Sequence, residues 1–116
     1  MMDIIENQTE TKKLLAHLYN EISIDLFGVG TTLLKVSFLE SESLITMQAR
    51  HKKAPRSNAL EEAAPELKQQ VDFRLSQLYK QRMKTRLEED FHWEIESLFR
   101  DYDGPTQTAF TNIKLR

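Results

Sequence analysis

The chain has 116 residues, a formal net charge of −2 and no cysteine. This length predicts a single domain, 1–116, large enough to bury its own core, and the cysteine count excludes disulfides and thiolate chemistry. Charges of both signs are interspersed, so no global field attracts nucleic acid or an anionic membrane. No apolar run approaches the roughly 20 residues of a membrane span.

The first segment predicts a short lead-in followed by a helix. Residues 1–8 begin with an acidic stretch that lacks the basic start and apolar core of a signal peptide, so we expect a cytoplasmic protein with a loose N-terminal lead-in. Gly28 and Gly30 then end a helix, because glycine tolerates the left-handed conformation that closes a last helical turn. The apolar stripe of that helix consists of Leu15, Leu18, Ile22 and Leu26.

Two alternating stretches follow, and they predict an antiparallel hairpin. Residues 31–39 and 44–51 each place apolar side chains on every second position, and the polar residues 40–43 have the length of a hairpin turn. The next stretch, 52–58, contains Pro55 and a cluster of positive charge, and we interpret it as a loop.

A long helix is predicted from Pro65 to Leu87. Proline suits its first turn, where the missing N–H carries no cost. Apolar residues recur at steps of three and four and so lie on one face. They are Leu67, Val71, Leu75, Leu78 or Tyr79, Met83 and Leu87.

Residues 91–102 have two interpretations. Helical steps continue and would extend the helix to Gly104, yet Trp93, Ile95, Ser97 and Phe99 also alternate as on a strand. Gly104 lies in a turn signal, Asp-Gly-Pro, and 109–115 alternates as a last strand. That strand pairs either with 93–101 or with the first hairpin. Ile113 and Leu115 lie near the chain end, where an edge strand would favour a homodimer.

These elements predict an α+β fold with the order α-β-β-α-β-β. Each helix has one apolar stripe and each strand one apolar face, so a two-layer packing buries all of them. We expect two helices on one face of an antiparallel sheet of about four strands. The alternative is a helix reaching Gly104 over a three-stranded sheet.

No catalytic, cofactor or metal site is predicted. The pair Gly28 and Gly30 follows a helix and lacks a third glycine at Leu33, unlike a dinucleotide fingerprint. The three histidines are far apart in sequence and lack neighbouring ligands. The densest positive cluster is the candidate partner- or anion-binding site, and it comprises Arg50, His51, Lys52, Lys53 and Arg56.

The segment 27–37, Phe-Gly-Val-Gly-Thr-Thr-Leu-Leu-Lys-Val-Ser, resembles a family signature, F-G-K-G-P-x-x-V-x-V. That signature belongs to MpsC-like proteins, the C component of a sodium-translocating membrane-potential-generating system in bacteria. Thr31 stands where the family has proline, and Phe91-His92 replaces its Thr-Gly pair. The stretch 87–103 is similar to the family's long helix running into a third strand.

The resemblance implies a non-catalytic accessory or regulatory protein. It would associate with a bacterial membrane ion or inorganic-carbon transport system, peripheral to the inner membrane through a protein partner. The resemblance supplies no catalytic residues and no cofactor. The alternative function is a small anion- or nucleic-acid-binding module that uses residues 50–56; the net charge of −2 makes nucleic acid the less favoured ligand.

Overall fold

The computed structural model describes residues 8–51 and 55–116. It confirms the predicted α+β class and adds one short helix before the long one. In chain order the elements are α1 (Gln8–Phe27), β1 (Thr31–Leu39), a 3-10 turn (Glu40–Glu42), β2 (Leu44–His51), α2 (Pro55–Ala63), α3 (Pro65–Asp90), β3 (Ile95–Asp103) and β4 (Thr108–Leu115).

The four strands form one antiparallel sheet in the order β1-β2-β4-β3. The sequence predicts β3 or the first hairpin as the partner of β4. β4 in fact pairs with both, because β3 lies on one side of it and β2 on the other. Ile113 and Leu115 are buried between β2 and β3. The edge-strand argument for a homodimer is therefore wrong, because β1 and β3, not β4, form the edges.

The helices pack on one face of the sheet, as predicted. α1 contacts β1 and α3, and α3 contacts β3. The core between the layers is built from every second residue of β2 and β4 and from one stripe of each long helix. Its fully or nearly fully buried members are Leu15, Leu18, Tyr19, Ile22, Leu26, Ile45, Met47, Ala49, Tyr79, Met83, Leu87, Ile95, Ile113 and Leu115.

The junction between α1 and β1 depends on two glycines for different reasons. Gly28 has a φ of 76° and its N–H donates to the carbonyl of Ile24 at 3.0 Å, which closes the last turn of the helix. Gly30 instead leaves room for Asn20, whose Oδ1 accepts from the N–H of Thr31 at 3.0 Å. A Cβ at Gly30 would lie 3.2 Å from that oxygen.

α3 buries a smaller part of its length than its apolar pattern predicts. Its 26 residues span about 39 Å, whereas a nine-residue strand spans about 30 Å. Tyr79, Met83 and Leu87 are fully buried, but Leu67 at the other end is exposed. α3 also packs against α2. The prediction that the whole apolar stripe of α3 faces the core is wrong at Leu67.

α3 ends at Asp90, so the alternative of a helix to Gly104 is wrong. The N–H of Phe91 donates to the carbonyl of Leu87 at 3.1 Å, and His92 then takes a left-handed φ of 57°. The rings of Phe91 and Trp93 lie 4.8 Å apart and pack against the core. This aromatic pair ends the helix without the glycine or proline that usually signals an end.

A bulge between Ile95 and Ser97 reverses the faces of β3. The predicted alternation of Ile95 with Ser97 and Phe99 therefore fails after Ile95. Leu98 packs against the core, and Arg100 and Tyr102 follow it on the helix-covered face. Phe99 points away and is 60% exposed.

Two segments predicted to be irregular include residues that are helical, and residues 1–7 of the predicted lead-in lie outside the described part of the chain. α2 begins at Pro55, so the predicted loop 52–58 is wrong from that residue onward, and residues 52–54 lie outside the described part of the chain. Gln8 already belongs to α1. The turn at Gly104 lies between β3 and β4, where its carbonyl accepts from the N–H of Gln107 at 3.2 Å.

Candidate functional site

The structure does not bring the predicted basic residues of β2 together. Successive strand residues point to opposite faces: Arg50 is exposed, whereas His51 is buried on the helix-covered face with 7% of its surface exposed. Lys52 and Lys53 lie outside the described residues, as does the side chain of Arg56, whose backbone is in α2. Their role as a binding site stays a prediction.

His51 is held by two hydroxyl groups of α1. The Ser23 hydroxyl donates to the carbonyl of Val29 at 2.8 Å, so its single proton is used there. Ser23 Oγ must then accept from Nδ1 of His51, 3.2 Å away. Nε2 carries no proton in this tautomer and accepts from the Tyr19 hydroxyl at 2.8 Å. Every polar atom of the imidazole thus has a partner in its neutral form.

The electrostatics agree with a neutral imidazole. Burial, together with the positive charge of Arg100, lowers the pKa of His51 to about 4. Burial raises the pKa of Tyr19 to about 12, although the charge and hydrogen bond of Arg100 oppose that rise. His51 therefore carries no charge at neutral pH and adds nothing to a basic surface.

This network does not assemble a nucleophile. Ser23 has no exposed surface and its proton is committed to Val29. A serine–histidine pair needs a reachable oxygen and a base that removes its proton. Here the histidine donates to the serine, so the network fixes the end of β2 against α1.

Arg100 is the charged side chain beside Tyr19 and His51. Its guanidinium carbon lies 4.8 Å from the ring centre of Phe27, 5.1 Å from that of Tyr79 and 5.6 Å from that of Tyr102. Each ring at this distance attracts the cation by about 0.5–2 kcal/mol. The rings replace a counter-ion, because among residues 8–51 and 55–116 no carboxylate pairs with Arg100.

The remaining polar groups around Arg100 are largely satisfied within the protein. The hydroxyls of Tyr79 and Thr111 lie 2.7 Å apart, and both residues are fully buried. Burial raises the pKa of Tyr79 well above its ordinary range. In contrast, Nε of Arg100 is buried and has no hydrogen-bond partner, which is unusual for a buried polar atom.

A shallow groove of about 600 Å³ lies between α1 and α3 on the outer surface of the helices. Arg82 pairs with Asp25 across it, and Arg86 donates to Glu21 at 3.2 Å and to Asp90 at 2.9 Å. Hydrogen bonds to Asp90 and Glu21 raise the pKa of Arg86. Both cations of the groove are therefore already matched by carboxylates.

The second candidate surface is the sheet face opposite the helices, here called the open face. Its residues follow from the strand register: Lys35 pairs with Gln48, Gln48 with Phe110, and Phe110 with Asp101. Phe99 lies diagonally next to Phe110, because it pairs with Asn112, two residues further along β4. Phe110 is 40% exposed. Two aromatic rings therefore lie side by side on the open face.

The charges of the open face are separated across the sheet. Lys35 and Arg50 lie on β1 and β2, and Asp101 and Asp103 lie on β3, all exposed. Polar side chains between these charges form hydrogen bonds across neighbouring strands. For example, the Thr46 hydroxyl donates to Asn112 Oδ1 at 2.8 Å. The open face thus has cations on β1 and β2 and carboxylates on β3, with Phe110 between them on β4, Phe99 on β3 near the carboxylates and Lys114 towards the end of β4.

Comparisons with protein-family models, with curated proteins and with solved structures give no match for this chain. The resemblance to MpsC-like proteins therefore stays a prediction. No helix in the described part of the chain is long and apolar enough to cross a membrane. Within the same residues, no three His, Asp or Glu side chains gather where they could hold a metal ion.

Sequence reasoning did not identify Arg100 or the open face. Arg100 lies more than 70 residues from Phe27 in the chain, and no local pattern connects them. The bulge also places Phe99 on the face opposite to its predicted one. A signal for the open face did exist in β4, where Phe110 stands at a position that alternation assigns to the polar side.

Proposed function

We propose that this chain is a non-catalytic accessory or regulatory protein that binds a protein partner through its open face. Following the resemblance, the partner is a subunit of a bacterial membrane ion or inorganic-carbon transport system, so the chain is cytoplasmic and peripheral to the membrane. The observation that supports the proposal is the pair Phe99 and Phe110, two exposed aromatic rings on a face that none of the described helices covers. Exposed aromatic clusters with a polar surround are typical of protein interfaces.

The charges define the chemistry of the partner. A complementary surface has an apolar centre, carboxylates opposite Lys35 and Arg50, and cations opposite Asp101 and Asp103. Such complementarity sets orientation and accelerates association more than it adds affinity. We therefore expect the aromatic pair to provide most of the affinity and the two charged sides to provide the orientation.

The size of the open face is consistent with a transient contact. Four strands about 4.8 Å apart and about 30 Å long outline roughly 570 Å² on each partner. The total, about 1,100 Å², lies at the lower end of specific protein interfaces. An accessory subunit that binds and leaves its partner needs no more than this.

Nucleic acid fits the open face less well than protein does. Aromatic rings beside Arg50 are found in single-strand binding platforms. However, Asp101 lies directly beside Phe110 in the ladder, and its carboxylate would repel the phosphate backbone of a base stacked there. The neutral His51 removes one of the charges that the basic segment was predicted to supply.

A homodimer stays a prediction, now on the open face and not on β4. A two-fold axis parallel to the strands would place β1 of one copy over β3 of the other, so that Lys35 faces Asp101 of the second copy. Self-association through this face would compete with binding of the transport subunit. The experiment must therefore record the oligomeric state.

The test is capture from the membrane fraction of the source cells with immobilised protein and with the double variant Phe99→Ser and Phe110→Ser. Phe73→Ser is the matched control, because Phe73 is 62% exposed but lies on α3. We expect the native chain and Phe73→Ser to retain an identified ion-transport subunit and the double variant to lose it. Equal capture by all three would contradict the proposal.

Two further outcomes would also contradict it. Recovery of nucleic acid that falls steeply with salt would indicate phosphate recognition instead. If sedimentation shows that the native chain self-associates through the aromatic pair and captures no transport subunit, the open face serves a homodimer.

A further inference from the structure

Arg100 lies on the opposite side of the sheet from the open face, and its charge is met by three aromatic rings and not by a carboxylate of the described residues. It is partly exposed, it has no carboxylate partner among residues 8–51 and 55–116, and its buried Nε has no hydrogen-bond partner. Its neighbours His51, Tyr19 and Thr111 carry no charge at neutral pH. A cation held in this way has unused capacity to bind an anion.

A ligand would approach the exposed part of the Arg100 side chain, because Nε is buried and Tyr19 already forms a hydrogen bond with Arg100. Phe27, Tyr79 and Tyr102 lie 4.8 to 5.6 Å from the guanidinium carbon and restrict its movement. A guanidinium carries five N–H donors in one plane, and that fork matches two oxygens of a carboxylate or phosphate. Since the arginine is already ordered by its cage, a ligand would lose little free energy in ordering it.

We propose that Arg100 is the anchor of a binding site for a small oxyanion, a carboxylate or a phosphate group. The site is independent of the proposed protein partner, because Arg100 and the pair Phe99 and Phe110 lie on opposite faces of β3 and β4. Tyr102, 40% exposed and beside the guanidinium, forms the rim through which the ligand enters. Tyr19 contributes a hydroxyl that already interacts with Arg100.

The groove between α1 and α3 does not compete for this role. Arg82 and Arg86 line it, but each has a carboxylate partner. An oxyanion there would have to displace a carboxylate of the protein. Arg82 is therefore a matched control for Arg100: the same side chain on the same domain, with its charge already compensated.

The test is a titration of isotope-labelled protein with sodium acetate and, separately, with inorganic phosphate, followed by nuclear magnetic resonance at constant ionic strength. Sodium chloride is the reference salt. We expect saturable shifts of the Arg100 Nε–H signal and of the β3 amides. Arg100→Gln should weaken the affinity by about tenfold or more, as loss of a charged bidentate contact does, and Arg82→Gln should leave it unchanged.

The two ligands distinguish the two sources of oxyanion. Saturation by acetate alone assigns a carboxylate ligand, and saturation by phosphate alone assigns a phosphate ligand. If Arg100→Gln does not fold, Arg100→Lys keeps the charge without the planar fork, and we expect weaker binding than in the native chain. Shifts that never saturate, or that are equal in the native chain and the folded Arg100 variant, would overturn the proposal.

Discussion

The hydroxyl of Tyr19 and Nε2 of His51 lie 2.8 Å apart, and this contact joins the middle of α1 to the last residue of β2. It requires an unprotonated Nε2, so the contact is present only while His51 is neutral. The stability of the helix layer on the sheet is thereby linked to the protonation state of one buried imidazole.

We predict that His51 titrates near pH 4 and that stability falls as the pH is lowered towards that value. The pKa of His51 is about 4 in the folded chain and 6.5 ordinarily, so between these values the unfolded chain binds more protons. Its contribution is fully present above pH 6.5 and is lost as the pH falls from 6.5 to 4, about 3 kcal/mol in all.

Urea unfolding at pH 7 and pH 5 measures this difference, with His51→Gln as the comparison. The native chain should lose more free energy of unfolding than the variant over the same interval, because carboxylates titrate alike in both. Parallel pH dependences of the two proteins would show that His51 is not the cause.

Replacing Arg100 with glutamine should raise the pKa of His51. Burial is the larger cause of its low pKa and the charge of Arg100 the second, so removal of the charge recovers part of the shift and not all of it. Proton resonances of the imidazole, followed through an acid titration, give the value directly. Arg82 pairs with Asp25, so Arg82→Gln should leave the pKa of His51 unchanged. An unchanged pKa in both variants would show that the charge of Arg100 does not lower the pKa of His51.

We predict that the buried hydroxyls of Tyr79 and Thr111 contribute to the free energy of unfolding as a coupled pair. Tyr79→Phe leaves the Thr111 hydroxyl without its partner 2.7 Å away and should cost about 1–3 kcal/mol. In the double variant with Thr111→Val both polar groups are gone, so its loss should be smaller than the sum of the single losses. Additive losses in a double-mutant cycle would contradict this coupling.

The two ends of α3 should respond differently to the same substitution. Leu87→Ala removes a fully buried side chain and should cost about 2–5 kcal/mol. Leu67→Ala removes a side chain that is about half exposed and should cost less than about 0.5 kcal/mol. Denaturant midpoints of the two variants test this, and equal losses would mean that the N-terminal half of α3 packs on the sheet in solution.

Local patterns identified the first hairpin because its two strands and its turn are neighbours in the sequence. Alternation set β1 and β2, and the polar residues between them closed the turn at Ser43, whose φ is 50°. The order of the fold followed, since each stripe and face needs a partner. The end of α3 was undecidable from the same patterns, because Phe91 and Ile95 continue both a helical and a strand period.

The candidate sites depend on contacts that a local pattern does not contain. In the sequence, His51 counts as one more positive charge beside Arg50. Only the strand register shows that its side chain faces the helices, where it contacts Tyr19. Arg100 meets Phe27 and Tyr79 because a bulge shifts β3 by one residue. Such tertiary effects require the fold before the site can be recognised.

The most direct test of the central claim is a comparison of lysine reactivity on two surfaces. Lys35 lies on the open face and Lys84 on the outside of α3, and both are exposed in the free chain. The chain is acetylated alone and while bound to the captured transport subunit, and mass spectrometry quantifies both sites. Binding through the open face predicts that Lys35 becomes protected and Lys84 stays reactive; protection of Lys84 with Lys35 still reactive would contradict it.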